Sequence, residues 1–131
     1  MRIHLDTNLL IQRPHWDLLP DGEHEFLVSA LAFAEFSEGT AHVDQAIASD
    51  AAIALVQYRA CYGDGLPFTQ REANLYRELC TLVAAGGRTP GGKRRVDLMI
   101  AATAIGDGAA LATRNTSDFD GLQSMLTVIS L

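Results

Sequence analysis

Apolar runs of strand length alternate along this chain with longer stretches of helical period, and polar or glycine-rich segments separate them. Arg2 to Leu5 predicts a short buried strand. Asp6, Thr7 and Asn8 follow it with side chains able to cap a short helix over Leu9 to Arg13, which Pro14 stops. Beyond a polar loop, Glu25 to Val28 predicts a second strand, and Ser29 an N-cap for a helix over Ala30 to Glu38 ended by Gly39. A long helix is expected from about Val43 to Tyr62, with Ile47, Ala51, Ala54, Leu55 and Tyr58 on one face. Gly63 and Gly65 break it. Leu66 to Phe68 is a weak strand candidate, and Thr69 with Glu72 forms a capping box before a helix over Ala73 to Ala85.

The loop GGRTPGGKRR then leads into a helix over roughly Arg95 to Ile105, whose Ala101, Ala102 and Ala104 permit close approach to a sheet. Ala109 to Thr113 reads as a strand, the neighbourhood of Asp118 as a turn or short helix, and Leu126 to Ser130 as a last strand. Short apolar strands alternating with helices predict an α/β fold. The sheet should be mainly parallel, with about four to five strands, right-handed crossovers and helices on both faces. Such sheets bind ligands at the rim formed by the strand carboxyl ends.

Length and composition bound the rest. At 131 residues with 48% apolar positions, the chain suits a single domain, 1–131, that builds its core without disulfides or a structural metal. Cys61 and Cys80 stand far apart with no partner at metal spacing and read as two buried thiols. The formal net charge of -6 disfavours a protein that coats nucleic acid or anionic membrane nonspecifically. Because MRIHLDTNLL reaches Asp6 before any apolar stretch long enough for a signal peptide or membrane span, a cytoplasmic location without membrane contact is expected.

Four acids fall on the predicted rim. Asp6 follows the first strand, Glu35 lies in the helix after the second, Asp97 opens the helix leading to the Ala109 strand, and Asp118 follows that strand. Each alone has a plain structural role as a cap, a turn residue or a solvated side chain. Glu35, however, interrupts ALAFAEF, and Asp97 precedes LMIAATAIG, where an unpaired carboxylate is costly. Clustered carboxylates need a cation to remain ionised together. Oxygen-only ligands favour Mg²⁺, with Mn²⁺ as an alternative, over Zn²⁺, and Mg²⁺ commonly engages substrate phosphate oxygens. The chemistry implied is phosphodiester hydrolysis by metal-activated water.

With these residues in order, LDTN at 5 to 8, AEF around Glu35, VDLMIAATA around Asp97 and TRNTSDF at 113 to 119, the chain resembles the PIN-domain nucleases over essentially its whole length. The order and spacing are similar to VapC-type toxins of bacterial toxin-antitoxin operons. The resemblance implies a PIN-like three-layer sandwich and a metal-dependent endoribonuclease that inhibits translation or growth. It further implies a homodimer, a cognate VapB-type antitoxin whose tail enters the acidic site, and an RNA substrate such as tRNA or rRNA. Carried over residue by residue, Asp6, Glu35, Asp97 and Asp118 match the acidic quartet, both as catalytic residues and as metal ligands. Thr113 and Asn115 match the polar positions of a TxN segment, where a hydroxyl and an amide could orient Asp118 or a water. Thr7 and Asn8 suit a role in shaping the turn that presents Asp6, and Asp120 an exposed position.

Arg88, Lys93, Arg94, Arg95 and Arg114 border this site and are candidate contacts to the RNA backbone, Arg gripping phosphate bidentately. Lys93 is the only lysine. Trp16 is the one aromatic residue in a plainly polar loop, while Phe33, Phe36, Tyr58 and Tyr76 suit core or dimer surface. The four histidines form no metal or general-base constellation. Two other readings stand beside the nuclease: a receiver-like phospho-signalling module with an acidic Mg²⁺ site, and a PIN domain that only binds a partner. The receiver requires an acidic pair after the first strand and a Lys on a late strand; here the chain has LDTN and a lone Lys in a Gly-rich loop. A DxD phosphatase fails because position 8 is Asn.

Overall fold

A computed structural model describes residues 1–131. The chain runs through β1 (Arg2–Leu5), α1 (Thr7–Ile11), β2 (Glu25–Leu27), α2 (Ala30–Ser37), α3 (Gln45–Tyr62), α4 (Gln70–Ala85), α5 (Arg95–Gly106), β3 (Ala110–Thr113) and β4 (Val128–Ser130). Four strands form one all-parallel sheet in the order β2-β1-β3-β4. The α/β class and parallel sheet expected from the alternation of elements are present.

The two central strands, β1 and β3, are buried on both faces, whereas the edge strands β2 and β4 are only partly covered. In β1, Ile3 and Leu5 point to one side and His4 to the other, yet all three are at most 2% exposed; β3 is buried throughout. That is the pattern of a parallel strand covered from both directions. The core gathers Ile3, Leu5, Phe33, Leu79, Leu98, Ile100, Leu111 and Phe119, each at most 2% exposed. Ala101, Ala102 and Ala104 are fully buried, as expected of small residues that let a helix backbone approach its neighbours.

Local departures from expectation have local causes. Leu66 to Phe68 yields a single parallel bridge between Ser29 and Leu66, not a strand. The chain is held there by Gly65, at φ +90°, where a Cβ would lie 2.8 Å from the Ala30 nitrogen. α3 begins at Gln45, later than Val43, because Asp44 caps it by accepting from the Ala46 and Ile47 N–H groups. Val43 and Ile47 are exposed, and so is Cys61 near the end of α3, while Cys80 on α4 is half-buried; neither thiol is the buried one expected. α4 starts at Gln70, earlier than Ala73, with the Thr69–Glu72 capping box formed; accepting from Thr69 holds the Glu72 carboxyl down at about 2. The last strand shortens to Val128–Ser130, although Leu126 remains buried.

The amino end of the sheet carries a polar clamp with no counterpart in the sequence reading. Asp107, just past α5, accepts from Arg2 at 2.9 and 3.0 Å and lies 2.9 Å from His4 Nε2, while Arg2 also bonds Glu25 at 2.6 Å. His4 is fully buried. Burial drives its pKa down, with Asp107 acting in the opposite direction.

Candidate metal centre

The carboxyl ends of β1 and β3 bring the first site residues together. Leu5 pairs with Ala112, and the Asp6 N–H continues the ladder by donating to the Ala112 carbonyl at 2.9 Å. Asp6 therefore lies beside Thr113, the last residue of β3. Its carboxylate accepts from the Thr7 N–H at 2.8 Å, which caps α1, and from the Thr113 hydroxyl, also at 2.8 Å. These bonds fix an almost fully buried side chain, 4% exposed.

α2 and α5 deliver the next two acids. Ser29 caps α2 by accepting from the Ala32 N–H at 3.0 Å, and the second turn of that helix carries Glu35. Asp97 stands in the first turn of α5, where a negative charge complements the helix dipole. Asp6, Glu35 and Asp97 each offer a carboxylate oxygen, and these oxygens lie within 4.8 Å of one another. The rim expected from the topology is formed.

The electrostatics follow from crowding and burial. Asp97 is pushed up to about 7, first by burial and then by the charges of Asp6, Glu35 and Asp118, against which Arg94 works. Burial also raises Asp6, while its bonds from Thr113 and Thr7 pull it back. A hard divalent cation relieves this repulsion. Three carboxylates without thiolate or imidazole suit Mg²⁺ or Mn²⁺ better than Zn²⁺.

The cluster opens into a cleft of about 760 Å³. Asp118, Asn115, Thr7 and Asn8 line it together with the three acids, as do Glu38 and Asp50, which the sequence reading did not single out. Leu10, Ile11, Phe36, Ile47, Ala51, Ala54 and Tyr58 make its apolar wall. Glu38 and Asp50 carry no local signal; α2, α3 and the turn between them bring them to the cleft. The Thr7 hydroxyl is buried without a hydrogen-bond partner. Asp120 is exposed and does not line the cleft.

Other candidates are placed differently. Asp118 lies on a short 3-10 turn, Thr116–Phe119, and is outside the group of three converging oxygens. Arg94 faces it at 3.9 Å and also donates to its backbone carbonyl at 3.3 Å. The Thr113 hydroxyl orients Asp6 and not Asp118. The Arg114 guanidinium donates to the Arg13 carbonyl, which ties it to the loop after α1. Arg88, Lys93 and Arg95 are exposed and form no ion pair. Trp16 packs edge-on against Phe26 with ring centroids 4.9 Å apart. Phe33 and Phe36 are buried, and Tyr58 donates to the Leu10 carbonyl at 2.6 Å.

No family model matches the chain, nor does any curated protein. Solved structures do. A chain of the VapBC-5 toxin-antitoxin complex of Mycobacterium tuberculosis superposes with a TM-score of 0.79 at 25% identity, covering 99% of this chain and 97% of that one. The chain has the PIN-domain fold of VapC-type toxins. Two more solved structures share the fold at lower identity. VapBC2 of Rickettsia felis, bound to a DNA fragment from its promoter, aligns over 100% of this chain and 99% of that one, with a TM-score of 0.74 and 20% identity. FitAcB of Neisseria gonorrhoeae aligns over 97% and 96%, with a TM-score of 0.73 and 24% identity. In this VapC-like frame the acidic cluster is a candidate metal centre at the carboxyl rim of the sheet. No helix is long and apolar enough to cross a membrane.

Proposed function

We propose that this protein is a Mg²⁺- or Mn²⁺-dependent endoribonuclease and the toxin of a VapBC-type pair. The observation that carries the reading is the convergence of Asp6, Glu35 and Asp97 within one cleft of a VapC-type PIN fold. A bound divalent ion would lower the pKa of water and offset charge developing on the phosphate. Asp6, Glu35 and Asp97 would hold the ion. Asp118 would supply a fourth carboxylate to the cleft, and Asn115 would contact the incoming phosphodiester or its water. Thr113 keeps the Asp6 carboxylate directed into the cluster. Arg88, Lys93 and Arg95 offer exposed charge to the RNA backbone, whereas Arg94 and Arg114 must release intramolecular partners to join them.

The same cleft suits a VapB-type antitoxin tail. Its six carboxylates attract a basic segment, and its apolar wall receives nonpolar side chains. The active unit is a homodimer in the cytoplasm, acting on RNA such as tRNA or rRNA. An RNA cleavage assay on the pure protein tests the enzyme reading. Cleavage requires added Mg²⁺ or Mn²⁺ and is lost with EDTA, Asp6→Asn or Asp97→Asn; activity that survives both chelation and the substitutions rejects it.

A further inference from the structure

Thr113 Oγ is fully buried and makes three hydrogen bonds. It receives the Asn8 side-chain amide at 3.1 Å and the Asn115 backbone N–H at 3.1 Å, and it lies 2.8 Å from Asp6 Oδ2. A hydroxyl has one hydrogen and two lone pairs. With both lone pairs occupied by donors, its hydrogen has one acceptor left, which is Asp6.

Asn8 sets this polarity because its own orientation is fixed. Its Oδ1 accepts from the Arg114 backbone N–H at 3.3 Å. The flipped amide would place NH₂ against that N–H and turn the carbonyl oxygen toward Thr113, where it would compete with Asp6 for the hydroxyl hydrogen. The Thr7 N–H meanwhile binds Asp6 Oδ1 at 2.8 Å. Each Asp6 oxygen thus has one anchored lone pair and keeps the other for the carboxylate cluster. We infer that Asn8 is a positioning residue for the candidate metal centre: it acts through the Thr113 hydroxyl to hold the Asp6 carboxylate in ligating orientation. Residues behind a metal ligand commonly change metal affinity about 10–100-fold when removed.

The inference rests on the proposed metal centre only for its binding consequence, and the test separates the two. Mn²⁺ binding is titrated calorimetrically for the wild type, Asn8→Ala, Thr113→Val, Thr113→Ser and the double variant Asn8→Ala/Thr113→Val. Asn8→Ala and Thr113→Val each weaken binding about tenfold. The double variant is no weaker than Thr113→Val, because one path is cut twice. Thr113→Ser, which keeps the hydroxyl, restores binding. Additive losses, or an unchanged Asn8→Ala, overturn the inference.

NMR of the metal-free wild type supplies the independent readout. The relay requires a slowly exchanging Thr113 hydroxyl proton with close contacts to the Asn8 side-chain amide. Its absence overturns the inference without any variant having to fold. Should wild-type protein bind no Mn²⁺, the metal reading fails, and this proton, present in the wild type and lost in Asn8→Ala, still decides the relay.

Discussion

Arg94 holds Asp118 from two directions, its guanidinium lying 3.9 Å from the carboxylate and 3.3 Å from the backbone carbonyl of the same residue. The fourth acid of the cleft is therefore engaged by a cation of the chain itself, while the other three converge with no cation among them. Both partners are about one-third exposed, with side-chain accessibilities of 33% and 36%.

That pairing predicts competition. Arg94 is a positive charge beside a site that favours cations, and half-exposed ion pairs are worth about 0.2–1 kcal/mol. Arg94→Met should tighten Mn²⁺ binding by about 1.4- to fivefold, which is that range expressed as affinity. A titration of both proteins at equal ionic strength checks it. Unchanged or weaker binding would mean that Arg94 assists the site through its hold on Asp118.

Asp97 predicts the pH dependence. Its pKa of about 7 lies above the ordinary value, so between the two the folded state binds more protons than the unfolded state. Its contribution to the metal-free protein's stability is therefore greatest at low pH, falls as pH rises through that window, and levels off above about 7. A metal ion must displace the same proton. Mn²⁺ affinity should fall by up to about tenfold per pH unit below 7, the limit for one displaced proton. Asp97→Asn should flatten that dependence, weaken binding, and raise the melting temperature of the metal-free protein at pH 8, since a crowded buried charge is removed. A variant less stable than wild type at pH 8 would contradict the repulsion.

These properties were unequally legible in the sequence. Asp6, Glu35, Asp97 and Asp118 were placed on one rim because strand ends and helix starts of a parallel sheet converge there, which needs only the order of elements. The difference between them was not legible. That Asp118 pairs with Arg94 while the other three converge depends on a short 3-10 turn and on how the basic loop folds back. Likewise Asn8 looked like a turn residue because its two partners, Thr113 and Arg114, lie more than a hundred positions away. Leu66 to Phe68 makes one bridge and no ladder because Pro67 has no N–H to donate and Thr69 already caps α4.

The clamp at the opposite end of the sheet predicts a separate acid sensitivity. His4 is buried with its pKa below the ordinary 6.5, so the unfolded state takes up its proton first and stability drops as pH falls through about 6.5. Asp107, lowered by its bonds from His4 and Arg2 despite the opposing effect of burial, adds a further loss below its ordinary value of 3.8. Asp107→Ala, which leaves the buried His4 Nε2 without its acceptor, should destabilise the protein by about 1–3 kcal/mol at pH 7.5, the usual cost of depriving a buried polar group of its partner. Urea unfolding at several pH values measures both effects. In an Asp97→Asn background, where the opposing titration of Asp97 is removed, a stability profile flat between pH 7.5 and 5.5 would show that His4 does not contribute in this way.

The basic loop predicts the last outcome, and only part of it should matter. Among the five cations that border the site, Arg94 and Arg114 are occupied within the chain, whereas Arg88, Lys93 and Arg95 are exposed and form no ion pair. Contacts to a single-stranded backbone each release counterions, contributing about 0.7 to the slope of log affinity against log salt. Replacing Arg88, Lys93 and Arg95 together by Ala should therefore weaken RNA binding at low salt and reduce that slope by about 2. The assay uses catalytically silent Asp6→Asn protein, so that cleavage does not obscure affinity, and compares oligonucleotides of unrelated sequence. The weakening should be alike for all of them, since phosphate contacts position a strand without reading its bases. A loss confined to one sequence would assign the loop to base recognition. An unchanged slope would remove it from the RNA path and leave Arg94 and Arg114, freed from Asp118 and Arg13, as the cations that meet the substrate.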